Sequence, residues 1–251
     1  MPLPPRKEQE RIAAILDKAE TIRRRRQQAL QLVDEFLRSV FLEMFGDPVT
    51  NPKGWEEREL CQVSEVRSGV AKGRNFNGRQ TVTVPYMRVA NVQDGHIDLT
   101  HIKEIEVFPE EVEKYRLQRG DILLTEGGDP DKLGRGAVWE DQVSPCIHQN
   151  HIFSVRVNRS GLLPEFLSAL IASKRGKAYF LKAGKQTTGI ATINKTQLSQ
   201  FPVLLPPEEI QGRYLRILAK TREASGKQLA LADQAQHLFD SLAQRAFQGE
   251  L

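Results

Sequence analysis

The stretch from Val66 to Gln93 concentrates side chains whose chemistry suits phosphates and base edges. It contains five basic residues and no carboxylate. Arginine and lysine bind phosphate oxygens, and arginine or asparagine can also make paired hydrogen bonds to guanine or adenine. An ordinary solvated face is the alternative interpretation of such a charge run. The stretch predicts nucleic-acid contacts from Arg67, Lys72, Arg74, Asn75, Asn77 and Arg79.

Two further regions carry the same chemistry. Residues 166–207 hold six basic residues and again no carboxylate, and residues 127–136 form a glycine-rich segment. Binding residues are often carried on loops that a rigid body positions. Ordinary polar loops are the alternative here too. The predicted contacts in these regions and in the short histidine segment are Lys132, Arg135, His148, Asn150, Lys185, Gln186, Thr187 and Thr188.

Catalytic and metal-binding patterns are missing from the sequence. The glycine-rich segment lacks the Gly-Lys-Ser/Thr ending of a phosphate loop, and Asp129 with Asp131 lacks the distal Glu of a calcium loop. His148 and His151 are three apart and would face opposite sides of a strand, which argues against joint metal ligation. We find no Ser-His-Asp arrangement and no Asn/Asp-Pro-Pro-Tyr/Phe motif. The sequence therefore predicts a non-catalytic chain that holds no metal or cofactor.

Composition limits the class of protein. The chain has 251 residues, a formal net charge of +4 and two cysteines. The mild positive charge permits a nucleic-acid partner without requiring one. Two cysteines cannot form a disulfide scaffold, which favours a reducing compartment. Neither a signal peptide nor an apolar run of membrane-spanning length is visible, so we predict a cytoplasmic protein without a membrane partner.

The chain repeats itself over a long distance. Residues 3–11 match residues 205–213 at an offset of 202, and the similarity continues toward the end of each copy. Apolar residues recur in heptads in both copies, with Arg26 and Gln228 as polar interruptions at equivalent positions. This pattern predicts two long amphipathic helices packed as an antiparallel coiled coil. Four consecutive arginines from Arg23 form a basic band, which we expect to be a solvated or paired face more readily than a DNA contact.

The middle of the chain differs from the two helices. Short runs rich in valine, isoleucine and tyrosine alternate with turns, which is typical of strands. Strands are expected at 86–92, 121–125, 137–140, 148–157 and 201–205, and a helix is expected from Pro164. We predict an α+β fold in which a mixed, mostly β domain at 48–205 lies between helical segments at 1–47 and 206–251.

Several segments together resemble the specificity subunits of type I restriction–modification systems. The similarity lies in Leu3-Pro4-Pro5, in Gly54-Trp55 and in Leu238-Phe239-Asp240-Ser241-Leu242. It also lies in the runs Pro85 to Val92, Arg119 to Thr125 and Thr187 to Ile193. No single motif is sharp, but the order and spacing cover nearly the whole chain.

The resemblance implies a subunit that binds double-stranded DNA and selects its sequence. Adenine methylation with S-adenosylmethionine would belong to modification subunits, and ATP- and Mg²⁺-dependent cleavage to a restriction subunit. The paired helices would act as a spacer and a docking surface, and the middle domain would be the target-recognition domain. The chain begins at the helix, so the resemblance implies a half subunit, of which two copies could associate.

Two alternatives differ in function class. A coiled-coil assembly protein without its own DNA specificity would bind its partner in a salt-tolerant way, whereas DNA binding falls sharply as salt rises. A stand-alone nuclease or methyltransferase is disfavoured by the missing motifs.

Overall fold

A computed structural model describes residues 5–128, 133–187 and 190–248, and these residues divide into two compact units. One unit runs from Phe45 to Arg213, compared with the predicted domain at 48–205. The other unit combines the residues up to Met44 with those from Tyr214 onward. The fold is mixed α/β, with helices and several small sheets.

Two long helices form most of the second unit. Helix α1 spans Arg6–Phe45 and helix α7 spans Glu208–Gln248, as the heptad pattern predicts. The Arg23 guanidinium lies 5.6 Å from the Phe239 ring centroid and donates to the amide oxygen of Gln236 at 3.5 Å. Farther along α1, the rings of Phe41 and Tyr214 meet edge to face at 5.5 Å. Because positions advance along α1 as they recede along α7, the helices run antiparallel at these contacts.

Some predicted seam positions are exposed rather than covered. Ala19, Phe41, Tyr214 and Ala235 are buried, but Phe36 and Leu238 each expose 51% of their surface. Ile22 and Leu231 are 39% exposed. In the basic band, Glu20 accepts hydrogen bonds from Arg23 and Arg24, which hold the pKa of Glu20 at about 2. The two arginines are therefore paired on their own helix.

The unit from Phe45 to Arg213 consists of short strands and helices in the order predicted by its mostly β composition. Its strands are β1 Glu56–Glu59, β2 Ser64–Ser68, β3 Val82–Met87, β4 Lys103–Val107, β5 Ile122–Thr125, β6 Gly127–Gly128, β7 Gly136–Val138, β8 Ile147–His148, β9 Ile152–Val157, β10 Lys185–Thr187, β11 Ile190–Thr192 and β12 Pro202–Leu205. Its helices are α2 Leu60–Val63, the 3₁₀ turn η1 Val89–Asn91, α3 Pro109–Tyr115, α4 Pro164–Ala172, α5 Lys174–Ala183 and α6 Lys195–Ser199.

A four-stranded antiparallel sheet in the order β2-β9-β5-β7 is the centre of this unit. All four residues of β5 are buried, which explains why this strand reads as a continuous apolar run. A second sheet has the order β4-β3-β8, and its pair β3–β8 is parallel. Two apolar clusters fill the interior, one around Trp139 and Met87 and one around Tyr86 and Ile147.

The two ends of this unit are held together. Strands β1 and β12 pair antiparallel, with Glu56 opposite Leu205. The buried Arg175 guanidinium donates to the Pro48 and Pro202 carbonyls, each at 2.8 Å, and to the Glu57 carboxylate. One side chain thus joins the segment that enters the domain to the strand that leaves it.

Two predicted strands are shorter than expected. The strand predicted at 86–92 ends at Met87, because the Asn91 side chain accepts from Arg88 N at 3.1 Å and turns the backbone into η1. The strand predicted at 148–157 is split into β8 and β9. Between them, Gln149 N and Asn150 N donate to the Met87 and Val70 carbonyls, which bends the chain from one sheet into the next.

A buried carboxylate links the three inner positions of the central sheet. Asp121 is 1% exposed and precedes β5. Arg156 on β9 donates to both of its oxygens at 2.7 and 2.6 Å, and Arg67 on β2 reaches the same carboxylate at 3.4 Å. The Gln118 amide donates to it as well, at 2.9 Å. A buried charge is tolerated only with such partners.

We predict that Asp121→Asn lowers the free energy of unfolding by about 3–5 kcal/mol, since two arginines would lose their shared anion inside the domain. Urea denaturation followed by tryptophan fluorescence measures this change. Glu65→Gln is the matched control, because Glu65 is an exposed carboxylate 4.0 Å from Arg67. Equal stability of the two variants would contradict the structural role assigned to Asp121.

Candidate nucleic-acid interface

The predicted contact loops meet at one edge of the central sheet. Strand β2 ends there at Ser68, β5 ends at Thr125, and β7 and β9 begin at Gly136 and Ile152. We call this edge the loop edge. The arginine loop, residues 69–81, leaves it from β2, and the glycine loop, residues 126–135, leaves it from β5. The sheet register therefore brings together loops that are about 60 residues apart in the sequence.

The third predicted segment is attached to the same edge. Strands β10 and β11 form a hairpin, and β11 pairs with β6 in the glycine loop, with Ala191 opposite Gly128. Ile193 N also donates to the Glu126 carbonyl at 2.9 Å. The hairpin thus extends directly from the end of β5.

Close packing explains the glycines of the glycine loop. A Cβ atom on Gly127 would lie 2.7 Å from the Thr192 side chain, and one on Gly134 would lie 2.6 Å from the Phe180 ring. Gly134 also has a φ of +72°, which disfavours other residues. The glycines permit contact with the hairpin and with α5, so the loop's composition does not require a phosphate-binding role.

The arginine loop is fastened to helix α3. The rings of Phe76 and Phe108 meet edge to face at 5.2 Å. Arg74 donates to both oxygens of Glu111, at 2.5 and 2.8 Å. These hydrogen bonds from Arg74 hold the pKa of Glu111 below its ordinary value and raise the pKa of Arg74. Both ends of the Arg74 fork are therefore occupied within the protein.

Arg79 is placed differently from Arg74. Its guanidinium lies 4.0 Å from the Phe108 ring centroid, and one nitrogen donates to Glu110 at 2.8 Å. Its side chain is 62% exposed. An arginine stacked on an aromatic ring keeps its remaining donors in a fixed plane that suits a phosphate or a base edge. Arg79 is consequently the better placed of the two for contact with DNA.

Two predicted contact residues lie inside the domain. His148 is 1% exposed, and its Nδ1 lies 3.3 Å from the Tyr115 carbonyl oxygen. Burial and the nearby Arg67 charge lower the pKa of His148 to about 4. Arg67 itself is committed to Asp121, with its side chain only 17% exposed. The prediction of DNA contacts for His148 and Arg67 is not supported by this arrangement, because strand pairing turns both side chains inward.

The remaining predicted residues divide by exposure. Lys72, Asn75 and Asn77 are exposed on the arginine loop, where the Asn75 side chain accepts from Asn77 N at 2.9 Å. Arg135 and Asn150 are partly buried at the loop edge. Lys185, Gln186 and Thr187 form strand β10, while Lys132 and Thr188 lie outside the described residues.

Comparison with known proteins decides the family. Residues 52–229 match the family described as the type I restriction modification DNA specificity domain. The chain belongs to this family. Over 170 residues, or 67% of the chain, it is 30% identical to a protein of Methanocaldococcus jannaschii assigned as the MjaX type I restriction enzyme specificity subunit, of which it covers 39%. It is also 26% identical to the EcoKI specificity subunit of Escherichia coli over 100% of the chain and 57% of that protein.

The fold of this specificity domain has a solved counterpart. The crystal structure of the HsdS subunit from Thermoanaerobacter tengcongensis aligns with 100% of the chain at 22% identity and a TM-score of 0.56. The alignment covers 60% of that subunit. The chain thus spans between two fifths and three fifths of the length of the relatives described here.

Sequence reasoning missed the acidic partners of the predicted cations. Glu110 and Glu111 appeared only as part of a carboxylate-rich stretch, yet they hold Arg79 and Arg74. It also missed the exposed pair between His151 Nδ1 and the Glu126 carboxylate at 2.7 Å, which bridges the start of β9 and the glycine loop. The opposite charge of the two stretches was the available signal for the first contact.

Neither a metal cluster nor a membrane span is found in the part of the chain that the structure describes. Across these residues, no three His, Cys, Asp or Glu side chains approach closely enough to hold an ion. No helix among them combines the length and the apolar character needed to cross a bilayer.

We predict that Arg79→Ala weakens DNA binding without changing the urea midpoint, because its side chain is exposed. Arg74→Ala should instead lower the stability of the domain by about 1–2 kcal/mol, since it leaves the Glu111 carboxylate without its charged donor. Fluorescence anisotropy with a labelled duplex and urea denaturation measure the two effects. A stable Arg74→Ala variant with lost DNA affinity would reverse this assignment.

A second prediction concerns acid. His148 has a folded pKa of about 4 against an ordinary value of 6.5, so the unfolded chain binds the proton more readily. The stabilising contribution of neutral His148 is fully present above about pH 6.5 and is lost as the pH falls toward 4, at a cost of roughly 2–3 kcal/mol. An NMR titration should find one imidazole that stays neutral to about pH 4. Protonation of every histidine near pH 6 would contradict the prediction.

Proposed function

We propose that this chain is the DNA-recognition subunit of a type I restriction–modification complex. It selects the sequence at which partner subunits methylate adenine and direct cleavage. Membership of the specificity-domain family supports this function most directly. The convergence of three polar loops on one edge of a rigid sheet supplies a surface suited to reading DNA.

The chemistry is assigned to other subunits. S-adenosylmethionine is proposed to bind the modification subunit, and ATP with Mg²⁺ the restriction subunit, so that this chain contributes specificity and no catalytic group. Its place of action is then the cytoplasm, where the host DNA lies.

The two long helices are proposed to form an antiparallel coiled coil that docks the modification subunits. The contacts of Arg23 with Phe239 and of Phe41 with Tyr214 support the antiparallel pairing. Leu32 and Phe36 on α1 expose 63% and 51% of their surfaces, and Leu238 on α7 exposes 51%. Apolar side chains exposed to this extent on a helix favour burial against a protein partner.

Association of two copies is a further part of the proposal. A two-fold pair would present two identical recognition domains, and identical domains read identical half-sites. The recognised sequence would then be a bipartite palindrome.

Expression of this chain with the modification subunit encoded beside its gene tests the function. Mapping of N6-methyladenine across the host DNA should find a discrete motif that disappears when this chain is omitted. A palindromic bipartite motif would support the paired form, and an asymmetric motif would contradict it.

The control is the modification subunit expressed with a chain that carries Arg79→Ala. This variant should keep the complex intact while reducing methylation of the motif. A stable complex of the unaltered chain that methylates no motif would refute the recognition function and would leave an assembly role.

A further inference from the structure

A cleft of about 380 Å³ opens beside the glycine loop. Gln93, Asp94 and His96 line it on one side, from the turn that follows η1. Arg135 from the end of the glycine loop and Lys177 from α5 line it on the other. Sequence analysis selected only Arg135 among these residues.

The cleft is continuous with the loop edge. Gly95 N donates to the Gly136 carbonyl at 3.0 Å, which ties the turn to the start of β7. Thr125 N at the end of β5 donates to the Arg135 carbonyl, also at 3.0 Å. The cleft is thus built on the same strand ends that carry the arginine and glycine loops.

Two cations of the cleft have no anionic partner in the part of the chain that the structure describes. Arg135 and Lys177 form no ion pair with a described carboxylate. The Arg135 Nε atom is buried and has no hydrogen-bond partner. A buried donor without a partner costs free energy unless a ligand or water satisfies it. Lys177 is exposed and lies in the carboxylate-free stretch of residues 166–207.

We propose that this cleft holds the sugar–phosphate backbone of the DNA strand whose bases are read at the loop edge. Arg135 and Lys177 contact the phosphate oxygens, and the buried Nε of Arg135 gains an acceptor. The inference rests on the proposed function and identifies the part of the DNA that these two residues contact. Backbone contacts of this kind set the register of a protein on the duplex.

Asp94 makes the proposal specific. It is exposed and is the single carboxylate among the described residues that line the cleft. Beside a phosphate, its charge is repulsive, so Asp94→Asn strengthens binding to every sequence. If the cleft instead held a base, the Asp94 carboxylate would accept from a cytosine amino group, and Asp94→Asn would change the preferred sequence.

The test uses the complex of the full chain with its modification subunit and two fluorescein-labelled duplexes. One duplex carries the methylated motif, and the other has the same length without it. Lys177→Ala should bind both more weakly, and the slope of log affinity against log salt should become shallower by about 0.9. One lost phosphate contact corresponds to roughly a threefold change in affinity between about 50 and 200 mM salt.

Lys182→Ala is the matched control. Lys182 is an exposed lysine on the same helix, and it does not line the cleft. Its variant loses the same charge and should keep the salt slope of the unaltered chain. Lys177, Lys182 and Asp94 are all exposed, so none of the three variants removes a buried contact.

The outcomes separate the two proposals. If the unaltered complex binds DNA and Lys177→Ala matches Lys182→Ala, the cleft does not hold the backbone, while the recognition function stands. A changed sequence preference in Asp94→Asn would overturn the cleft assignment in favour of a base contact. If the unaltered complex binds neither duplex, the recognition function fails and the cleft proposal fails with it.

Discussion

The candidate interface depends on the shared carboxylate of Asp121. This side chain accepts from Arg156 on β9 and Arg67 on β2 and stands at the start of β5, so it fixes three strands of the central sheet against one another. In a sheet, a shift of one residue in register moves every side chain to the opposite face. An anion that two arginines must reach from fixed positions resists such a shift. The loops at the opposite ends of these strands inherit that order.

This constraint divides the cations into two classes. Arg67 and Arg175 lie inside the domain and satisfy carboxylates and carbonyls there, whereas Arg79 and Lys72 remain exposed on the arginine loop. A buried guanidinium needs several fixed acceptors, and each burial draws distant segments together. The positive charge of the sequence therefore serves the fold as well as the surface.

The sequence predicts elements better than it predicts contacts in this chain. The long helices and strand β5 follow from heptad spacing and from a continuous apolar run, which are local patterns. The inward position of His148 depends on the break between β8 and β9, and that break depends on hydrogen bonds to Val70 and Met87 far along the chain. The pairing of Arg74 with Glu111 likewise joins residues 37 positions apart. A carboxylate-free stretch indicates the charge of a segment but not the partner that will neutralise it.

The acidic partners of the arginine loop also bear on how this surface could bind DNA. Arg79 is already stacked on Phe108 and held by Glu110, so little side-chain freedom remains to be lost when a phosphate or base edge approaches. The same carboxylate competes with the phosphate for the guanidinium, which weakens attraction to DNA of any sequence. An arginine that is ordered but partly neutralised favours contacts with correct geometry over charge attraction alone. That balance suits a surface whose task is to discriminate between sequences rather than to bind all of them tightly.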